Sequence, residues 1–175
     1  EWLRDVPAHW NVKQLKHLCS RSALYGANEA ATSYVTVGVR FLRTTDITEK
    51  GELVSENAVF LDPDRVRDYI LKDGDLLISR SGTIGRSFLY SASKHGQCAY
   101  AGYLVRFVPN ANLDPHFAFY FTKTQCFQSY LGISVISSTI GNVNGQKYAN
   151  LPLPTPSLKE QFTIASFLDR ETARI

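Results

Sequence analysis

Apolar and polar residues along the chain follow short, changing periods, and each change marks an element boundary. Residues 76–79 (Leu-Leu-Ile-Ser) and 86–90 (Arg-Ser-Phe-Leu-Tyr) are β-rich runs around a glycine-bearing tip at 82–85. That pattern predicts a hairpin projecting Arg80, Ser81 and Thr83 beyond a sheet. Residues 39–44 predict a short strand and 46–51 a surface bend. Residues 97–108, with Tyr100, Tyr103, Val105 and Phe107, predict another strand in which Gly102 permits a bulge or close approach.

Helical spacing appears in three places. Asp62-Pro63 supplies an N-cap and first-turn proline for a short helix carrying Val66, Tyr69 and Ile70 that ends before Gly74. Asp114-Pro115 repeats the signal for a helix with Phe117, Tyr120, Phe121, Thr124, Phe127 and Leu131 on one face, which Gly132 is expected to end. That aromatic stripe reads as core. Residues 133–144 are uncharged and rich in hydroxyl and amide side chains, a composition suited to a functional loop. Three prolines make 151–156 extended. Ser157 to Glu160 then forms an S-x-x-E capping box opening a last helix, with Phe162, Ala165, Leu168 and Thr172 on one side. An opening cluster of Trp2, Val6, Trp10, Val12, Leu15 and Leu18 anchors the start. Together these elements predict a single α+β domain: a curved, mainly antiparallel sheet, flanking helices and a protruding C-terminal helix.

Composition narrows the function. With 175 residues, 44% hydrophobic and 20% charged, the chain suits one globular domain of roughly 100–200 residues and excludes disorder or low complexity. The formal charge of +3 hides an asymmetry. Residues 1–75 hold 10 Lys+Arg and 12 Asp+Glu, residues 76–159 hold 7 and 1, and residues 160–175 hold 2 and 3. In the central stretch Asp114 is the one acid, a balance that favours a polyanion.

Catalytic and metal signatures are missing from the sequence. Cys19, Cys98 and Cys126 have no C-x-x-C spacing, which argues for a reduced, cytoplasmic protein without a disulfide framework or zinc site. His9, His17, His95 and His116 lack ligand-spaced partners. No G-x-S-x-G elbow, H-E-x-x-H or P-loop occurs; Ser81 to Gly85 lacks the lysine and following helix of a P-loop. No apolar run approaches the roughly 20 residues of a membrane span. The chain opens on Glu1 and has no methionine, so we read it as a piece of a longer protein.

The segments FLRTTDITEKGEL, LKDGDLLISRSGTIGR and LPLPTPSLKEQFTIASFLDRETARI resemble a target recognition domain of the specificity subunit of type I restriction–modification enzymes. Thr155 and Ser157 stand where the family often has proline, without changing the extended-then-helix pattern. The resemblance implies residues 1–156 as a DNA target recognition domain and 157–175 as the start of a spacer, or coiled-coil, helix. It implies a non-catalytic subunit that binds double-stranded DNA, reads one half of a bipartite target and docks methyltransferase (modification) subunits. S-adenosylmethionine, ATP and Mg are then expected in partner subunits, the restriction/translocase subunit among them, and no cofactor or metal in this chain. Two alternatives remain: the recognition part of a fused type IIG restriction–methyltransferase, or a mainly protein-docking scaffold.

Residue chemistry adds candidates for DNA contact. Arg80 suits a phosphate or a bidentate guanine contact, and Ser81 and Thr83 suit either base or phosphate. Arg43, Thr44 and Thr45 form a second tip. Ser137, Ser138, Thr139, Asn142 and Asn144 offer short donors and acceptors, and Gln97 or Asn142 suits adenine. Lys94, His95 and Lys147 suit phosphates. A hairpin shared by domains that read different sequences cannot itself set the sequence. Specificity is therefore expected in 21–36, 94–103 (including Tyr100 and Tyr103) and 134–144. The apolar side of the last helix is expected to lack an intrachain partner, which would permit a homodimer of the fragment.

Overall fold

The computed structural model describes residues 6–136 and 143–174. Ser137, Ser138, Thr139 and Asn142 lie outside the described residues, as does Trp2. The centre is a four-stranded antiparallel sheet of β2 (Cys19–Tyr25), β8 (Leu104–Pro109), β5 (Leu76–Ser79) and β6 (Ser87–Leu89), in that order. The predicted hairpin is β5–β6, with Leu76 opposite Leu89 and Ile78 opposite Ser87. Successive strand residues face opposite ways, so one strand serves two cores. Leu76, Ile78, Val105 and Phe107 pack toward the helices, while Leu77 and Leu104 pack toward a second sheet.

That second sheet orders β4 (Val59–Leu61), β3 (Val39–Leu42) and β7 (Cys98–Tyr100), with β3 and β4 antiparallel and β3 and β7 parallel. The strand predicted over 97–108 is thus two strands in different sheets. The chain crosses between them at 101–103, where the Gly102 N–H donates to Ala27 O and the Ala101 N–H to Leu42 O. The mixed α+β class holds, with the strands shared among three small sheets. The third pairs β1 (Asn11–Gln14) with the proline-rich β9 (Pro152–Thr155), so the proline nitrogens sit in a two-stranded ribbon.

The helical layer also departs from the pattern at two points. Instead of one helix ending at Gly132, α3 (Pro115–Phe121) and α4 (Gln125–Ile136) are separate, and Gly132 lies inside α4. Earlier in the chain come the short α1 (Pro63–Val66) and α2 (Ala92–His95). Hydroxyls make the α3–α4 break: Thr122 Oγ1 donates to Phe119 O, Thr124 Oγ1 donates to Phe121 O, and Thr124 Oγ1 accepts the Phe127 N–H. Phe117, Phe121, Phe127 and Leu131 are nevertheless all core. After α5 (Gly145–Ala149), the last helix α6 (Leu158–Thr172) begins at the predicted Ser157–Glu160 capping box.

The apolar side of α6 is not free of intrachain contacts. Ala165 is buried in the helical core, and buried Gln161 accepts the Asp114 N–H at 2.8 Å and donates to Asn112 O and Pro156 O. Tyr120 donates to Asp169 at 2.6 Å. The expected protrusion is corrected for this stretch, because α3 offers a matching apolar face and an N-terminus needing an acceptor. Leu168 is half-buried beside Phe117, while Phe162 remains 64% exposed.

Candidate nucleic-acid interface

The hairpin tip, the end of β2 and the turn at 101–103 converge at one end of the molecule. The Arg80 N–H donates to Tyr103 O at 2.9 Å, and Arg80 O accepts the Val143 N–H at 3.0 Å. Its guanidinium lies 4.9 Å above the Tyr25 ring, whose hydroxyl accepts the Gly145 N–H at 2.9 Å. Below the tip, Tyr148 donates to Ser79 O at 2.8 Å, and the Ser79 hydroxyl donates to Thr83 O. Gly85 has φ +84°, and a Cβ there would meet Leu131 Cδ1 at 2.3 Å, so glycine is needed to fold the tip onto α4.

Arg80 is therefore fixed by its backbone and by a stacked ring, and its Nε is buried without a hydrogen-bond partner among the described residues. The arrangement presents a planar, permanently charged donor group suited to phosphate or guanine. Tyr103, 61% exposed, flanks it, as does half-buried Ser81. A neighbouring cleft of 380 Å³ is lined by Asn28, Tyr34, Arg43, Thr45 and Tyr103.

Several predicted contacts sit elsewhere. Tyr100 is 2% exposed in the core between the two larger sheets, edge-on to Tyr69, so it cannot touch DNA. β7 is covered on both faces, a placement that alternation along the chain does not reveal. Arg43 is engaged: Nε and Nη2 donate to the Asp46 carboxylate at 3.1 and 2.7 Å, and Nη2 also donates to Asn57 O. A 3₁₀ turn at Thr44–Asp46 brings the two residues together. Exposed Thr45 keeps its place at the cleft. Asn144 caps α5 by accepting the Lys147 N–H at 2.9 Å, and Lys147 O accepts the Tyr130 hydroxyl. Exposed Lys94, within α2, lines a cleft with Asp73 at the other end of the hairpin, and exposed Gln97 follows α2; neither joins the Arg80 group.

The charge asymmetry along the sequence is partly cancelled in space. Arg106 is buried and meets Asp75 at 2.8 Å, and Arg86 lies 3.9 Å from Glu49. Lys123 donates to Glu49 O and Ser87 O, and burial, aided by nearby Arg86, brings its ammonium pKa down to about 8. Burial pushes the Cys19 thiol up to about 12 and Cys98 to about 11, away from thiolate chemistry. Among the described residues no three His, Cys, Asp or Glu side chains gather as metal ligands, and no helix is long and apolar enough to cross a membrane. Tyr25 and Asn28, within 21–36, and Lys123 stand in no recognisable motif and are not singled out by the sequence, while Arg86 closes the hairpin segment without being marked there as a contact.

Residues 7–175 of this α+β fold match the family model of the type I restriction modification DNA specificity domain. The chain belongs to that family. Its fold is similar to a chain from a type I R-M system solved for complex assembly and conformational transition, with a TM-score of 0.73 at 19% identity over 98% of this chain and 40% of that one. The HsdS subunit of Thermoanaerobacter tengcongensis matches with a TM-score of 0.70 at 19% identity, covering 98% of this chain and 39% of that one. The S subunit of the type I restriction–modification system of M. genitalium gives 0.64 at 17% identity, covering 99% and 42%. This chain spans about 40% of the length of these neighbours.

Proposed function

We propose that the chain is one target recognition domain, residues 1–156, with the start of a spacer helix at 157–175, and that it reads one half of a bipartite duplex target. The observation that carries this reading is the family match over residues 7–175, since the family is one of DNA specificity domains. The rim of Tyr25, Arg80, Ser81 and Tyr103 supports it, as do the neighbouring Asn28 and Thr45, which supply varied donors and acceptors at one end of the fold. In this role the chain binds without catalysing. A methyltransferase subunit docks on it and supplies S-adenosylmethionine chemistry, and a restriction/translocase subunit uses ATP and Mg. Exposed Leu158, Phe162 and Phe167 leave apolar surface on α6 for a partner helix.

The test is selection from a randomised duplex pool by this chain, alone and with a methyltransferase subunit. Enrichment of one short uninterrupted sequence, bound more weakly as salt rises, is the expected result. No enrichment in either form, or affinity indifferent to salt, contradicts it. Enrichment only with the methyltransferase present would identify docking as the main task of the isolated chain.

A further inference from the structure

Beside the hairpin tip lies a second cleft of 430 Å³ lined by Thr83, Arg86, Thr122, Lys123, Gln128 and Glu49. It brings two cations together with no buried acid between them. Arg86 donates to Ile47 O at 3.0 Å, and Lys123 donates to Glu49 O at 3.0 Å and Ser87 O at 3.3 Å. Those carbonyls fix both side chains without neutralising either. The nearest carboxylate, Glu49, is 3.9 Å from Arg86, and its side chain is 90% exposed, free to turn into water. The Thr83 hydroxyl is buried at this cleft without a hydrogen-bond partner among the described residues.

We propose that this cleft seats a backbone phosphate of bound DNA, with Arg86 and Lys123 supplying charge and the Thr83 hydroxyl a hydrogen bond. The inference rests on the DNA-binding reading and adds to it a site beside the Arg80 rim. Thr83 lies three residues beyond Arg80 on the same hairpin tip, so the cleft adjoins the Arg80 rim. The lowered Lys123 ammonium, caused first by burial and then by nearby Arg86, agrees with the geometry, since an anion between the two cations favours the charged form.

The test measures binding to a preferred and a random duplex across a salt series. Arg86→Gln, which keeps a donor for Ile47 O, should weaken both duplexes by the same factor and lower the slope of log K against log salt by about one. Thr83→Val should weaken both without changing the slope; the hydroxyl makes no hydrogen bond among the described residues, so the melting temperature should stay at the unaltered value. Glu49→Gln should tighten both. Wild-type affinity and slope in Arg86→Gln and Thr83→Val, or weaker binding by Glu49→Gln, overturns the cleft assignment alone. Failure of the unaltered chain to bind any duplex, with or without the methyltransferase, overturns the DNA reading as well. Calorimetry with inorganic phosphate is the further arm. Heat that Arg86→Gln abolishes, beside unchanged duplex binding, assigns the cleft to a free anion and refutes the DNA assignment.

Discussion

Asp75 and Arg106 are the clearest case in which a charged residue serves the fold. Asp75 Oδ2 accepts the Lys72 N–H at 2.7 Å and Arg106 at 2.8 Å, while Asp75 Oδ1 and Arg106 Nε find no partner among the described residues. Burial raises the Asp75 carboxyl pKa, and the Lys72 N–H and Arg106 oppose that rise. Removing one partner strands the other in the interior, so Arg106→Met should cost about 3–5 kcal/mol in urea unfolding. Adding Asp75→Asn, which keeps an acceptor for the Lys72 N–H, should recover more than half of that loss; a double variant as unstable as the sum of the singles would refute the pairing. Sequence position alone assigned Arg106 to a DNA-facing basic stretch. Its actual partner lies 31 positions earlier, in the segment that looked neutral.

Elements were legible where their signals are local. The caps at Asp62, Asp114 and Ser157, the hairpin and the extended proline run all form at or near the expected residues. The Glu160 carboxylate is brought down to about 2 by His9 and by the Ser157 hydroxyl and N–H. A carboxylate with a lowered pKa stabilises above its ordinary value near 4.5, and that contribution disappears as pH falls toward 2. The first turn of α6 should therefore loosen across that window in amide exchange, and Glu160→Gln should remove the dependence. Ser157→Ala should cost about 1 kcal/mol in thermal unfolding. The joint between sheets is as local in sequence but not in cause. A Cβ on Gly26 would lie 2.2 Å from Tyr100 O and 2.5 Å from Ala101 O, so Gly26→Ala should separate β2 from the 101–103 turn and destabilise by about 1–3 kcal/mol.

At the scale of the whole molecule the hairpin has two unlike ends. Arg80 and the phosphate cleft lie at its tip, and Lys94 at the base beside Asp73. Arg80→Ala should weaken all duplexes if the guanidinium grips phosphate, or relax one base position if it reads guanine, whereas Lys94→Ala should change neither. Unaltered binding in Arg80→Ala would remove Arg80 from the interface, and a Lys94 effect of equal size would place DNA at the base.

Within the sequence lay the α+β class, the hairpin, the helix starts and the resemblance that names the family, because caps, turns and alternation act over a few neighbouring residues. Three-dimensional packing decided which cations remain available, since Arg43 and Arg106 are held by carboxylates whose proximity depends on folding, whereas Lys123 is held by carbonyls. It also decided that Tyr100 is core and Tyr103 surface, because the chain changes sheets between them. The pairing of Tyr25 with Arg80, 55 positions apart, likewise follows from β2 and the hairpin ending on the same side of one sheet.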